Sequence, residues 1–274
     1  MDAPDDVQKS LQSLRAYLQD LLETGIDGLP LLPAGDAYNP VNYAVVENPV
    51  EEDKPLCGRV ADIPMGNYGH EVTAAEMPTC GRMETLDDIK IQTDNCSRCS
   101  LGASRTNPVF GTGNQKARLV FVGEAPGRDE DLQGKPFVGK AGELLTSMIG
   151  KMGLSRDDVY ICNVLKCRPP NNRNPLSSEI ESCTPYLLQQ LTVIGPEVIV
   201  ALGTFAAQTL LATKEPISKL RGIFHDYHGI PLMPTFHPSF LLRNGPEFRW
   251  MVWEDMVKVM NRLGMPVPEL KRKG

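Results

Sequence analysis

Over residues 118–264 the chain alternates between short apolar runs and longer segments with helical spacing. Apolar runs bounded by turn residues predict buried strands. They are RLVFVG (118–123), DVYICNVL (158–165), EVIVALG (197–203) and the end of FHDYHGIPLMPTF (224–236), after a hairpin about 228–230. Apolar residues three or four positions apart predict helices over 139–153, 177–195, 204–213 and 247–264. Strands that alternate with helices indicate a mainly parallel sheet covered on both faces.

The first 85 residues follow another pattern. Residues 1–27 predict an amphipathic helix, and residues 28–85, rich in prolines and acids, predict an extended linker. The apolar positions of the helix are Val7, Leu11, Leu14, Leu18, Leu21 and Leu22. We therefore expect a folded domain over residues 86–274. The helix would pack on that domain, self-associate or bind a partner protein.

The composition is typical of a globular protein without a membrane span. Of the 274 residues 41% are hydrophobic, and no apolar run reaches the roughly 18 residues that a transmembrane helix needs. The segment MDAPDDVQKS lacks the basic and apolar regions of a secretory signal, so we expect a cytoplasmic protein. Residues 1–90 carry 17 acids and 6 bases, whereas residues 91–274 carry 17 acids and 22 bases. The basic part suits a polyanionic ligand, although an acidic tail alone would produce the same split.

Polar residues follow the predicted strands at the edge where parallel sheets bind ligands. Glu124 follows the first strand in GEAPG, Asn163 lies at the end of the second in ICNVL, and His237 follows the fourth in PTFHPS. GEAPG matches neither GxxxxGK[ST] nor GxGxxG, and the acids of RDED would repel a phosphate. A lone histidine at a strand end is usually structural. Three polar side chains that converge from three strands predict a pocket.

Four of the seven cysteines have the spacing of metal ligands. Cys96 and Cys99 form a C-x2-C pair before the sheet, and Cys167 and Cys183 flank a polar loop after the second strand. Four thiolates suit an iron–sulfur cluster or zinc, and spacing does not separate the two. The remaining cysteines, one in an apolar strand and two in the linker, are Cys162, Cys57 and Cys80.

Together these motifs resemble those of family 4 uracil-DNA glycosylases, the iron–sulfur type. The resemblance is carried by CSRC, GEAPGRDEDLQGKPFVGKAGELL, YICNVLKCRPPNNRNP, VALG and HPSFLLR, over about residues 90–264. It implies a three-layer α/β/α sandwich around a four-stranded, mainly parallel sheet. It implies a uracil-DNA glycosylase that acts on single- or double-stranded DNA and initiates base-excision repair.

The resemblance also implies a cofactor and a cellular setting. A [4Fe–4S] cluster would be held by Cys96, Cys99, Cys167 and Cys183, with zinc as the less favoured alternative. The resemblance does not extend to residues 1–85; the helix over 1–27 could recruit a repair or replication protein, self-associate or cap the core. The protein would work in the bacterial cytosol or on the nucleoid.

Within the pocket, the resemblance implies a role for each side chain. Phe137 stacks on the extruded uracil, unless it is a core residue beneath its loop. Asn163 reads O4 and N3–H of the base, and His237 donates a hydrogen bond to O2, where charge grows as the bond breaks. Glu130 forms the wall that excludes the methyl group of thymine.

The resemblance leaves the water-activating group open. Glu124, expected on one glycine-bearing loop with Phe137, either orients the attacking water or stabilises the sugar cation. Ala125 occupies the position at which better-known uracil glycosylases have an aspartate, and it lines the base site. The expected contacts to DNA are Arg168, Arg173, Ser239 and Arg243, although Arg243 would equally suit a solvated surface.

Three alternatives remain. The domain could bind nucleic acid around a structural metal without catalysis, or it could carry electrons through an iron–sulfur cluster. It could also trap the abasic sugar covalently through its histidine. Relatives that do so have a basic insertion before the histidine motif, and PLMPTFHPSF has none. Turnover is therefore favoured over trapping.

Overall fold

The computed structural model describes residues 85–269. The predicted helix over 1–27, nearly all of the linker over 28–85, and with it Cys57 and Cys80, lie outside the described residues. Over residues 85–269, no helix combines the length and apolar character needed to cross a bilayer.

A central sheet organises the described residues. Its six strands lie in the order β1-β3-β2-β4-β6-β5. They are β1 (Thr112–Gly113), β2 (Leu119–Gly123), β3 (Tyr160–Asn163), β4 (Val198–Leu202), β5 (His225–Tyr227) and β6 (Ile230–Thr235). The inner strands β3, β2, β4 and β6 pair in parallel, and β1 and β5 pair antiparallel at the two edges.

The sequence prediction of a mainly parallel sheet is confirmed, but the number of strands was wrong. The four predicted strands are the inner four, and the predicted hairpin joins β5 to β6, with Tyr227 opposite Ile230. The two edge strands have only two and three residues. The β5 segment lies in the first arm of the predicted hairpin, but neither edge strand is long enough to show the alternation that identifies a strand of the sheet.

Helices connect and cover the strands. They are α1 (Leu86–Asp94), α2 (Leu101–Ser104), α3 (Arg128–Gln133), α4 (Lys140–Lys151), α5 (Ser177–Ile194), α6 (Thr204–Leu211), α7 (Ile217–Leu220), α8 (Pro238–Arg243) and α9 (Pro246–Arg262). Helix α3 was missed, because the stretch between Glu124 and Phe137 was predicted as one loop. Every residue of β2, β3 and β4 is buried, so helices cover both faces of the sheet, as a three-layer α/β/α sandwich requires.

Parallel pairing sets up the functional edge. Val122 pairs with both Cys162 and Ala201, and Leu202 pairs with Thr235, so the four inner strands end nearly level. Parallel strands run in one direction, so the residues that follow them gather at a single edge.

Candidate active site

A cavity of about 440 Å³ opens at the carboxyl edge of the sheet. Most of the predicted pocket and DNA-contact residues line it: Glu124, Ala125, Glu130, Phe137, Asn163, Arg173, His237, Ser239 and Arg243. Arg168 is absent from this lining; its Nε donates a hydrogen bond to Asn172 Oδ1 at 2.7 Å. A cavity of this size suits an organic ligand with a few placed polar groups.

The pocket floor is formed where β2 and β3 end side by side. Gly123, the last residue of β2, pairs with Asn163, the last residue of β3. A Cβ atom on Gly123 would collide with Asn163 Oδ1 and would lie 2.6 Å from Cζ of Phe137. The absence of a side chain at Gly123 therefore allows the Asn163 amide and the Phe137 ring to meet.

Asn163 has an acceptor that the protein does not satisfy. Its side chain is 1% exposed, and within the described residues its buried Oδ1 has no hydrogen-bond partner. A buried acceptor left in this state costs about 1–3 kcal/mol. Its backbone is held from the other side, because Lys166 Nζ donates to the Asn163 carbonyl at 2.7 Å. The Oδ1 atom is thus available for an N–H of a ligand.

Phe137 combines burial with a place in the cavity wall. Its side chain is 6% exposed, which by itself would fit a core residue. However, the ring lines the cavity, and its centroid lies 5.6 Å from that of His237. A planar ligand above Gly123 would therefore meet an aromatic surface.

His237 is the N-cap of helix α8, and its tautomer follows from that position. Nδ1 accepts the Ser239 backbone N–H at 3.1 Å and lies 2.8 Å from the Ser239 hydroxyl. A nitrogen that accepts an N–H carries no proton, so the neutral ring has its hydrogen on Nε2. Burial, and secondarily the charge of Arg243, lowers the pKa of His237 to about 4. At neutral pH His237 is an uncharged donor.

The two acids of the pocket are in different surroundings. Within residues 85–269 no cation pairs with Glu124, and burial raises the pKa of its carboxyl group to about 7. Glu130 instead accepts backbone N–H groups: Gly127 donates to Oε2 at 3.1 Å, and Val138 and Gly139 donate to Oε1 at 2.9 and 3.1 Å. The charge of Glu124 can therefore change near neutral pH.

Among the predicted DNA contacts, Arg173 and Ser239, like Arg168, have hydrogen-bond partners within the protein. The guanidinium of Arg173 donates to both carboxylate oxygens of Glu179, at 2.9 and 2.6 Å. Because Glu179 also accepts the Leu176 backbone N–H at the start of α5, this ion pair holds the polar loop onto that helix. The Ser239 hydroxyl faces His237 and fixes its ring.

A second, smaller cavity is lined by the four predicted metal ligands, Cys96, Cys99, Cys167 and Cys183. Arg105 Nη1 donates to Cys167 Sγ at 3.1 Å, and the Lys166 backbone N–H donates to Cys183 Sγ at 3.3 Å. Burial raises the pKa of both thiols, that of Cys183 to about 11, whereas each of these donors favours the thiolate form at its sulfur. In the described part of the chain, no group of three or more His, Cys, Asp or Glu residues is arranged to hold a metal ion. The donor set nevertheless fits a group with four thiolate ligands.

Sequence reasoning missed three buried or partly buried polar residues around the pocket: Arg156, Lys166 and Gln190. Lys166 is 1% exposed and links the Asn163 carbonyl to Gln190, whose Nε2 donates to Phe110 O at 2.9 Å. A lysine between the apolar pair Val164–Leu165 and a cysteine was the one available signal for Lys166. Arg156 and Gln190 carried none, because their partners are distant in sequence or are backbone atoms.

Comparison with known proteins gives one consistent result. The profile of the uracil DNA glycosylase superfamily matches residues 110–257. A type-4 uracil-DNA glycosylase of Archaeoglobus fulgidus is 46% identical over 196 residues, 69% of this chain and 98% of that protein. The type-4 enzyme of Thermotoga maritima is 48% identical over 65% of this chain and 94% of its own length.

A more distant relative helps to place the chain within the superfamily. A type-5 uracil-DNA glycosylase of Pyrobaculum aerophilum is 29% identical over 56% of this chain and 82% of its own length. Identity is thus higher with the two type-4 proteins. The chain belongs to the uracil DNA glycosylase superfamily, and within it to family 4.

Proposed function

We propose that this protein hydrolyses the N-glycosidic bond of deoxyuridine in DNA, releasing uracil and leaving an abasic site for base-excision repair. The observation that carries the proposal is the unsatisfied Oδ1 of Asn163 beside the Phe137 ring and the neutral His237. Uracil presents a flat face, an N–H donor and carbonyl acceptors to such a site. The proposal agrees with the family to which the chain belongs.

Binding begins with extrusion of the nucleotide from the DNA. Unstacking costs a few kcal/mol, and least for a mispaired or single-stranded base. Stacking of the base on Phe137 contributes about 1–3 kcal/mol of favourable free energy, which offsets much of that cost. The ring therefore has to be in position before the base arrives.

Asn163 would select the pyrimidine. Its Oδ1 accepts N3–H of uracil, and its amide group donates to O4. Cytosine presents the reverse arrangement, so it would face Oδ1 with another acceptor. The Lys166 hydrogen bond to the Asn163 carbonyl holds the backbone from which the amide projects, and the selectivity further requires that the amide keep this orientation.

Glu130 would exclude thymine. Thymine differs from uracil by the methyl group at C5, so rejection has to be steric. The carboxylate of Glu130 is tied to three backbone N–H groups and lines the cavity. A wall anchored in this way cannot move aside for an extra methyl group at low cost.

His237 would stabilise the departing base. Negative charge spreads over N1, O2 and O4 as the glycosidic bond breaks, and Nε2–H of His237 would donate to O2. A donor positioned in advance for developing charge contributes roughly 10²–10³ in rate. The Ser239 contacts support this role, since they hold the ring in the required tautomer.

Glu124 would act on the sugar side of the bond. As a carboxylate it would orient the attacking water or stabilise the positive charge that develops on deoxyribose. Ala125 lines the cavity but has no group that could activate water. The absence of a neighbouring cation, among the described residues, leaves the charge of Glu124 available to the sugar.

Four thiolates, from Cys96, Cys99, Cys167 and Cys183, would hold a [4Fe–4S] cluster, with zinc as the less favoured alternative. Bound there, the group would supply a structural cross-link. These residues would join the segment before the sheet to the loop and helix that follow β3.

DNA phosphates would be contacted along this loop and along α8. The contacting residues would be Arg168, Arg173, Ser239 and Arg243. The catalytic domain would comprise residues 86–274, and binding of a repair or replication protein by the helix over 1–27 stays a prediction.

Strand cleavage tests the proposal. Purified protein is incubated with labelled DNA containing U·G, U·A, single-stranded U or T·G, and abasic sites are then cleaved with alkali. We expect cleavage at every uracil and none at thymine. A protein that binds these strands but produces no abasic site would instead be a nucleic-acid-binding module.

A further inference from the structure

Phe137 has a backbone conformation that an aromatic residue rarely adopts. Its φ angle is +53°, in the left-handed region. A residue other than glycine in that region is strained and stays there only when its surroundings determine the conformation. The contacts that hold this backbone therefore also determine where the ring lies.

Arg156 holds the carbonyl groups of the two peptide bonds that flank the Phe137 Cα atom. Its Nη2 donates to the Pro136 carbonyl at 2.7 Å, and its Nη1 donates to the Phe137 carbonyl at 3.1 Å. Nη1 also lies 3.1 Å from the Thr146 hydroxyl on α4, which steadies the guanidinium. Two consecutive carbonyls bound by one planar fork define the direction of the chain at Phe137.

Glu130 and Gly142 contact the peptide groups that follow the Phe137 Cα atom. Glu130 accepts the Val138 and Gly139 N–H groups, so the peptide groups after Phe137 are also fixed. At the start of α4, a Cβ atom on Gly142 would collide with the Phe137 carbonyl. The chain at Phe137 is thus packed directly against the first turn of α4.

We propose that Arg156 is a positioning residue for base recognition, acting through the carbonyls of Pro136 and Phe137 to hold the ring over the uracil slot. This inference rests on the proposed function, because it concerns the stacking of the extruded base. Arg156 does not line the cavity, so it acts without touching the substrate.

A double-mutant cycle tests the inference. Arg156→Gln, Phe137→Ala and the double variant are compared with the wild type by kcat/KM on single-stranded uracil DNA. We expect Arg156→Gln to lower kcat/KM about tenfold. This loss corresponds to the removal of one base–aromatic stack. In the Phe137→Ala background the same change should cost less than about twofold, because residues that act as one unit are not additive. An equal loss in both backgrounds would overturn the inference.

Controls separate positioning from general damage. Arg118→Gln removes an exposed arginine that pairs with Glu197. Arg118 precedes the amino end of β2, at the edge of the sheet opposite the cavity, so kcat/KM should stay within about twofold of the wild-type value. Arg156→Lys should recover part of the loss, because an ammonium can bind one of the two carbonyls. Affinity for DNA with a tetrahydrofuran abasic site should not change in Arg156→Gln, since there is no base to stack. Weaker abasic-site binding would indicate a merely structural role.

A failure of the proposed function would look different. If the wild type itself releases no uracil, the glycosylase proposal fails before any variant is compared. If the wild type is active and the cycle is additive, only the role of Arg156 fails.

Discussion

Replacing Glu124 by glutamine tests the pocket carboxylate with one isosteric change. Burial raises the pKa of Glu124 to about 7. If the ionised form is needed, the single-turnover rate of uracil release should rise about tenfold per pH unit below 7 and level off above it. At pH 6 about one carboxyl group in ten is ionised, so the rate should be about tenfold lower than at pH 8. His237, with a pKa of about 4, is neutral across this range and does not contribute.

The amide of Glu124→Gln cannot ionise, so the variant should be slower and its rate should not vary between pH 5.5 and 8. General-base or electrostatic roles of this kind contribute about 10²–10⁴ in rate. The assay is single-turnover excision from a single-stranded uracil oligonucleotide, with enzyme in excess so that product release is not measured. A variant with the wild-type rate, or a wild-type rate that is flat over this range, would refute the assignment.

Ionisation of the Glu124 carboxyl group, which should raise the rate of uracil release, should lower the stability of the fold. Its pKa is higher in the folded protein than the ordinary 4.5, so the folded state binds more protons between pH 4.5 and 7. The free energy of unfolding should therefore fall as pH rises through this window, by up to about 3 kcal/mol. Glu124→Gln should be more stable than the wild type at pH 8 and similar to it near pH 4.5, as measured by urea unfolding. A variant less stable at pH 8 would contradict the burial argument.

The remaining predictions concern the histidine, the pocket floor and the thiols. His237→Gln should lower the single-turnover rate about 10²–10³-fold with little change in DNA affinity; equal losses in both would argue against a role at O2. Gly123→Ala should lower kcat/KM at least about 100-fold, because the new methyl group collides with Asn163 and Phe137, and should leave abasic-DNA binding intact. Protein purified without oxygen should contain iron and sulfide, and Cys183→Ser should lose both and melt at a lower temperature; zinc without sulfide would contradict the cluster.

Local patterns were sufficient for the framework of this protein. The apolar runs that became β2, β3, β4 and β6 were predicted because buried parallel strands are continuous hydrophobic segments. Their direction placed Glu124, Asn163 and His237 at one edge. The spacing of four cysteines predicted a metal site; the four side chains line one cavity, and metal binding there stays a prediction. Helix α3 was not predicted, because glycines and prolines flank its six residues and the segment was interpreted as a loop.

Contacts between residues that are distant in sequence produce the features of the site that the sequence did not predict. Strain at Phe137 appears only when its φ angle is known, and its cause lies in Arg156 and Glu130, which bind backbone atoms and so leave no trace in a side-chain pattern. The unsatisfied Oδ1 of Asn163 is likewise a property of what surrounds it. Hydrophobic periodicity reports which positions are buried, and it determined the sheet and its ligand-binding edge. Hydrogen bonds between distant segments depend on the folded arrangement, so only the tertiary structure showed which side chains line the cavity and which residues bind their backbone.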